Sequence, residues 1–299
     1  MKNVMQYYYD LEIDSIKRVK DEYIFSKNGI HYIFSPVNRS LEEIDELYIL
    51  TLNLTQIGLP CHNIILNNEN KIITEYNKKN YILLKNNIVS NELITVNDII
   101  NFSNYTTYNW DFKYISRTNW KKLWTEKMDY FEYQLSQVGN KYPLLSNMFG
   151  YYEGIVENGI QLYDMYNTYG YLCVSHKRLD INTSLSEFYN PLNFIIDYKV
   201  RDIAEYFKKK VLLHDSDSEI IYCLDNYINI DSDRILFMIR FFFPSFYFDT
   251  YEQILMGISK KNDLDHILVT SKRYEKLLKK IYAYISTYIN IPTVEWLKY

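Results

Sequence analysis

The sequence predicts an α+β protein of two lobes, a small β-rich N-terminal lobe over residues 1–90 and a large helical C-terminal lobe over residues 91–299. Three observations predict it. The first ninety residues read as a hairpin, a helix and then further short strands. From Thr95 onward apolar residues recur at three- and four-residue intervals, the spacing of amphipathic helices. One β-like stretch, over residues 171–197, interrupts that helical pattern. No internal repeat and no linker rich in Gly, Ser or Pro separates the halves, so they are expected to pack as one body.

In the first lobe, Tyr23–Phe25 and Ile30–Phe34 flank Lys27-Asn28-Gly29. Asn-Gly is a strong hairpin signal because both residues tolerate positive φ. Ser40 followed by Glu43 is a capping box, and the helix it opens carries Ile44, Leu47, Tyr48 and Leu54 on one side. Gly58 and Pro60 end that helix. Strands follow at Asn63–Leu66, Lys71–Glu75 and Tyr81–Leu84.

In the second lobe, Thr95 with Asp98 begins a short helix. A longer one carries Trp120, Leu123, Trp124, Phe131 and Leu135, and a third carries Met148, Phe149, Tyr152, Ile155, Val156, Tyr163 and Tyr166. After the β stretch, helices centre on Ile203–Leu212, Ile220–Ile228, Ile235–Phe242, Tyr251–Ile258 and Tyr274–Tyr288. Pro244 stops one of them, and the aromatic cluster behind it is expected to pack under the lobe rather than form a docking patch.

Composition narrows the function classes. With 299 residues, 47% apolar and 23% charged, the chain can bury a substantial core, which argues against disorder. The net charge of −4 and the lack of a strongly basic cluster argue against nucleic acid as a partner. The 32 tyrosines are read first as AT-rich coding, and second as a surface for protein contact or oxidative cross-linking. Cys61, Cys173 and Cys223 have no zinc spacing and read as reduced, buried thiols. The N-terminus turns acidic too early for a signal core. The most apolar run, Ile235–Phe248, is broken by Arg240 and Pro244 and falls short of the ~20 residues of a membrane span. A soluble protein made in a cytoplasm is expected.

The stretch Ser175–Tyr206, SHKRLDINTSLSEFYNPLNFIIDYKVRDIAEY, resembles the catalytic segment of the aminoglycoside-phosphotransferase-type kinases. In that family a strand ends in His-Gly-Asp-x-His, a second strand carries a metal-binding Asp, and a helix opens with an Asp-Leu-Ala-like signature. Here the helix opening stands as Arg201-Asp202-Ile203-Ala204-Glu205, while the first motif is reduced to His176-Lys177-Arg178-Leu179-Asp180. Arg178 stands where the family places its catalytic Asp, and a guanidinium cannot accept a proton. Asp180 could reach the same space only from a different point on the loop.

The other parts of a phosphotransfer site are thin as well. No glycine-rich turn precedes Gly29, and the residues where a strand lysine is expected are Phe34, Ser35, Pro36 and Val37. Lys71 and Lys85 read as surface lysines, and Glu42, Glu43 and Glu46 as solvated or capping. The metal position falls either near Asn190, with Asp197 a structural acid, or on Asp197 itself at the end of Phe194-Ile195-Ile196; the first alignment is preferred. Asp202 is expected to cap its helix and to accept backbone N–H groups from the loop around His176, a packed core residue. His31, His62, His214 and His266 have no ligand spacing, and the acidic stretch His214–Glu219 reads as a solvated turn.

Three further segments narrow the resemblance to the kinase-like spore coat proteins of endospore-forming bacteria. They are Trp120-Lys121-Lys122-Leu123-Trp124 with Met128-Asp129, then Tyr151–Ile160, then Arg240–Asp249. The resemblance implies a protein-kinase-like fold with a degenerate site and no metal or cofactor. It implies a pseudokinase that acts as a structural or docking component, with other spore coat proteins as partners, in the mother-cell cytoplasm and then the spore coat. The alternative is an active phosphotransferase using ATP and magnesium on a small molecule or a coat protein, with Asp180 or Asp197 in shifted roles. A third reading is a sensing module with an interlobe cleft near Leu83–Lys85.

Overall fold

In the computed structural model, which describes residues 1–166, 169–213, 217–257 and 263–298, the two lobes form as expected. The hairpin at Asn28-Gly29 pairs β2 (Glu22–Lys27) with β3 (Ile30–Pro36), and the two turn residues sit at φ +52° and +75°. Ahead of them come α1 (Lys2–Tyr9) and β1 (Lys17–Val19), neither of which the sequence pattern announces. A helix of eight residues is not stable alone. It holds because Met5 and Tyr9 bury against Phe25, Phe34 and Tyr81 of the sheet.

The capping box at Ser40 opens α2 (Leu41–Gln56), with Glu43 N donating to Ser40 Oγ at 3.2 Å and Ser40 N to Glu43 Oε2 at 3.3 Å. Gly58, at φ +81°, turns the chain out of it. The strands β4 (Asn63–Ile65), β5 (Thr74–Tyr76) and β6 (Lys79–Asn86) complete an antiparallel sheet in the order β1-β2-β3-β6-β4, with β5 also on β6. Strand β5 starts later than Lys71 because Asn67 Oδ1 accepts from the N–H groups of Glu69 and Lys71, bending those residues into a loop.

The helical lobe comprises α3 (Val96–Tyr105), α4 (Trp120–Val138), α5 (Pro143–Tyr166), α6 (Leu185–Phe188), α7 (Arg201–Leu213), α8 (Asp217–Asn226), α9 (Asp231–Phe241), α10 (Ser245–Leu255) and α11 (Asp263–Ser286). A two-stranded antiparallel ribbon, β7 (Leu172–His176) with β8 (Phe194–Tyr198), crosses it. Residues 214–216 of the acidic turn and Ile258, where the sequence ends one helix, lie outside the described residues. Pro244 separates α9 from α10, and Phe246, Tyr247, Phe248 and Tyr251 behind it are all buried. Gly159 marks a close approach in this lobe. A Cβ there would stand 2.6 Å from Cβ of Phe242, so α5 packs on the end of α9 with no room for a side chain. No described helix is long and apolar enough to cross a membrane.

One hydrophobic cluster runs across both lobes, with Leu47, Leu50 and Leu54 of α2 in the same cluster as Trp120, Phe188 and Phe194, while the sheet keeps smaller cores of its own. Polar struts add to it. Glu46, read from sequence as solvated or capping, accepts the backbone N–H groups of Lys113, Tyr114 and Ile115, each at 2.8 Å. Arg39 donates to Leu192 O at 3.1 Å and Phe194 O at 3.0 Å, tying the start of α2 to the ribbon.

Candidate functional site

The ribbon and the N-terminus of α7 bring the sequence-selected residues together. β7 ends at His176, so Lys177, Arg178, Leu179 and Asp180 leave it as a loop, while β8 returns alongside and places Asp197 opposite Cys173. α7 begins four residues after Asp197, which sets Arg201 one turn from it. Apolar residues at Phe194, Ile195 and Ile196 keep this end of the ribbon buried and largely dry.

In that dry setting every ionic group finds a partner, as the cost of burying an isolated charge requires. Asp202 accepts from His176 N at 3.1 Å and lies 2.6 Å from the Nδ1 of the same residue. The other ring nitrogen of His176 meets Phe188 O at 2.8 Å, and the ring stacks on Phe188. Both ring nitrogens therefore face protein oxygens, and neither is left for a substrate. Arg201 donates to Asp202 Oδ1 at 3.0 Å and to the carbonyl of His176, and its Nε lies 2.9 Å from Asp197 Oδ2. The remaining oxygen of Asp197 accepts from Trp120 Nε1 at 2.9 Å and Tyr198 N at 2.8 Å. Burial outweighs these contacts and pushes the Asp197 carboxyl up to about 6.

A second ionic group continues from the first through aromatic rings. Arg240 lies 5.1 Å from the centre of the Trp120 ring and 5.7 Å from that of Trp124, a cation–π arrangement. Its Nε donates to Glu205 at 2.7 Å, and Lys208 donates to the same carboxylate at 2.7 Å. Lys208 also donates to the carbonyls of Arg240 at 3.2 Å and Phe243 at 2.9 Å, at the C-terminal end of α9. Burial works to raise Glu205, yet Lys208, Arg240 and Arg201 together hold it well below the ordinary carboxylate range. Three segments that are far apart in sequence, 120–124, 201–208 and 240–245, thus meet in one buried assembly.

Above this floor opens a cleft of about 1170 Å3, lined among others by Arg117, Lys177, Arg178, Asp180, Asp197 and Lys209. Arg178 is exposed on its rim, and its backbone is pinned by Asn193, which accepts from Arg178 N at 3.0 Å and donates to Arg178 O at 2.6 Å. Asp180 Oδ1 accepts from Asn182 N at 2.9 Å and Asn182 Nδ2 at 3.0 Å, so it serves the turn of its own loop. Asn190 is not in the cleft lining. It caps the short turn Pro191–Asn193, accepting from Leu192 N at 3.0 Å. Leu83 and Leu84 are buried in the sheet and line no part of this cleft. Among the described residues no group of three or more His, Cys, Asp and Glu side chains is arranged to hold a metal ion.

Sequence reasoning missed Arg39 and Arg117. Both reach Glu43 of α2, Arg39 at 3.7 Å and Arg117 more closely. The only sequence signal was a glutamate on the first turn of α2 with no lysine on β3 to meet it.

Three comparisons with known proteins agree with this architecture. Residues 2–281 match the model of the family described as "Spore coat putative kinase YutH". Over 99% of its length the chain is 26% identical to the endospore coat-associated protein YutH of Bacillus subtilis (strain 168), covering 98% of that protein. Among solved structures, an aminoglycoside phosphotransferase of Alicyclobacillus acidocaldarius superposes with a TM-score of 0.66 at 12% identity, covering 96% of each chain. An amicoumacin kinase superposes with a TM-score of 0.56 at 12% identity, covering 93% of this chain and 92% of the other. The chain belongs to the spore coat YutH family and has the aminoglycoside-phosphotransferase-like kinase fold.

Proposed function

We propose that this member of the spore coat kinase-like family is a kinase-fold protein without phosphotransfer activity that serves as a structural or docking component of the spore coat. One observation carries the reading: every carboxylate of the former catalytic region is already bound by the protein itself. Asp180 is held by Asn182, Asp197 by Trp120 and Arg201, and Asp202 by His176 and Arg201. Arg178 stands on the loop where a carboxylate would have to orient the attacking hydroxyl. The donor set also does not fit a magnesium ion, which wants free carboxylate oxygens rather than one already beside a guanidinium. The α2 glutamates point the same way, because Glu43 meets Arg39 and Arg117 and Glu46 holds three backbone amides, so neither waits for a lysine that would steady a triphosphate. The printed name of the Bacillus subtilis relative, endospore coat-associated, supplies the setting.

Titration with ATP and with magnesium-ATP by calorimetry, alongside an assay of nucleotide hydrolysis, tests this. No turnover and no metal-dependent binding in the micromolar range is the expected result. Metal-dependent micromolar binding with turnover overturns it.

A further inference from the structure

The charges that line the cleft are not evenly compensated. Arg117, Lys127 and Lys209 each have a carboxylate at hand, at Glu43, at Glu252 (3.8 Å) and at Asp249 (3.6 Å). Lys177 and Arg178, exposed at the rim, make no ion pair among the described residues. Burial first, then Arg39, Arg117 and Arg178 against the partial offset of Glu43, pull Lys177 below the ordinary lysine range, so the cations around it outnumber the acids. A chain of net charge −4 therefore carries a localised positive rim.

The opposite imbalance lies on another face. Asp129 of α4 with Glu153 and Glu157 of α5 line a shallow groove floored by Met128 and Ile160, and Glu132 lies beside Glu153. None of these four acids forms an ion pair among the described residues, while the lysines of α4 are paired elsewhere, Lys121 with Asp164 and Lys122 with Glu126. Burial and the neighbouring Glu132 and Glu157 push the Glu153 carboxyl up to about 7. Lys127 faces the cleft and Asp129 the groove; two residues along a helix are about 200° apart, so the two patches look out from opposite sides of α4.

We propose that the protein assembles head to tail with copies of itself, the carboxylate face of α4 and α5 on one copy seated against the cationic rim of the cleft on the next. The proposal rests on the reading of the chain as a coat building component and does not depend on the loss of phosphotransfer. Unlike patches on opposite sides make a heterologous contact. Such a contact leaves a free patch at each end, so growth does not stop at a dimer. The Met128 and Ile160 floor supplies apolar area, and the charges set orientation and partner choice.

Sedimentation velocity at low salt tests it with two charge-neutralised variants, Lys177→Gln with Arg178→Gln, and Glu132→Gln with Glu157→Gln. All four residues are exposed, so thermal midpoints should match the parent. The parent is expected to form species larger than dimers as concentration rises, and to return to monomer near 1 M salt, where the screening length is about 3 Å. Each variant alone should self-associate about tenfold more weakly or worse. Mixed together they should form a one-to-one dimer that grows no further, because only one complementary pair of patches remains. A parent that stays monomeric at low salt, a variant that assembles like the parent, or a mixture that grows beyond dimers overturns the proposal. Inertness toward ATP is read separately, so each result stands without the other.

Discussion

The floor of the cleft and its rim are built from the same residue types and behave in opposite ways. On the floor, His176, Asp197, Arg201, Asp202, Glu205, Lys208 and Arg240 are buried, and each meets an opposite charge or a backbone group. On the rim, Lys177 and Arg178 are one and two residues from His176, yet exposed and in no ion pair among the described residues. Buried ions are held by geometry, and removing one strands its partner. Rim ions cost the fold nothing to change and remain open to other molecules.

The comparison is broken most sharply at Asp202. Substitution to Ala removes the acceptor for the His176 amide and ring and one of the two carboxylates of Arg201. Loss of about 4 kcal/mol in urea unfolding is expected, the range for deleting one partner of a buried ion pair. A loss under about 1 kcal/mol would show that the floor is less dry than its burial implies.

The seam between the lobes tests burial without an ionic partner. His62 is fully buried, its own N–H donates to Tyr189 O at 3.0 Å, and burial lowers its ring from 6.5 to about 4. Because the folded value lies below the unfolded one, the unfolded chain binds the extra proton between them. Stability on this account is complete above pH 6.5 and falls as pH drops toward about 4. The shift corresponds to roughly 3 kcal/mol across that window. Unfolding measured from pH 7 to pH 4 should show that slope in the parent and lose it in His62→Gln, with other acid-sensitive groups cancelling in the difference.

What was legible in the sequence follows the same division between local and distant contacts. The Asn28-Gly29 turn and the capping boxes of Ser40 with Glu43 and Thr95 with Asp98 close within a few residues, so residue order alone reveals them. The loop from His176 to Asp180 could be located because it carries a family resemblance. The bond from Trp120 to Asp197 and the amides of 113–115 on Glu46 join residues more than sixty positions apart. Such contacts depend on how the lobes cross, which no periodicity encodes. The same holds for α1, whose Met5 and Tyr9 matter only once the sheet above them exists.

The smallest effect is the most telling about function. Arg178→Asp restores the carboxylate that the kinase resemblance places at that position. Stability should move by no more than about 0.5 kcal/mol, because the side chain is exposed and in no ion pair among the described residues, and its backbone is held by Asn193 in either case. Turnover of ATP should nevertheless not appear. An acid on the loop orients a hydroxyl, but the metal that carries the phosphates still has to be held, and Asp197 faces Arg201 and Trp120 instead. Measurable hydrolysis by this single variant would mean that Asp197 leaves Arg201 when a nucleotide arrives, and that the floor is not fixed. No turnover in parent and variant alike, with an unchanged melting midpoint, would support the proposed inertness and trace it to both layers of the cleft.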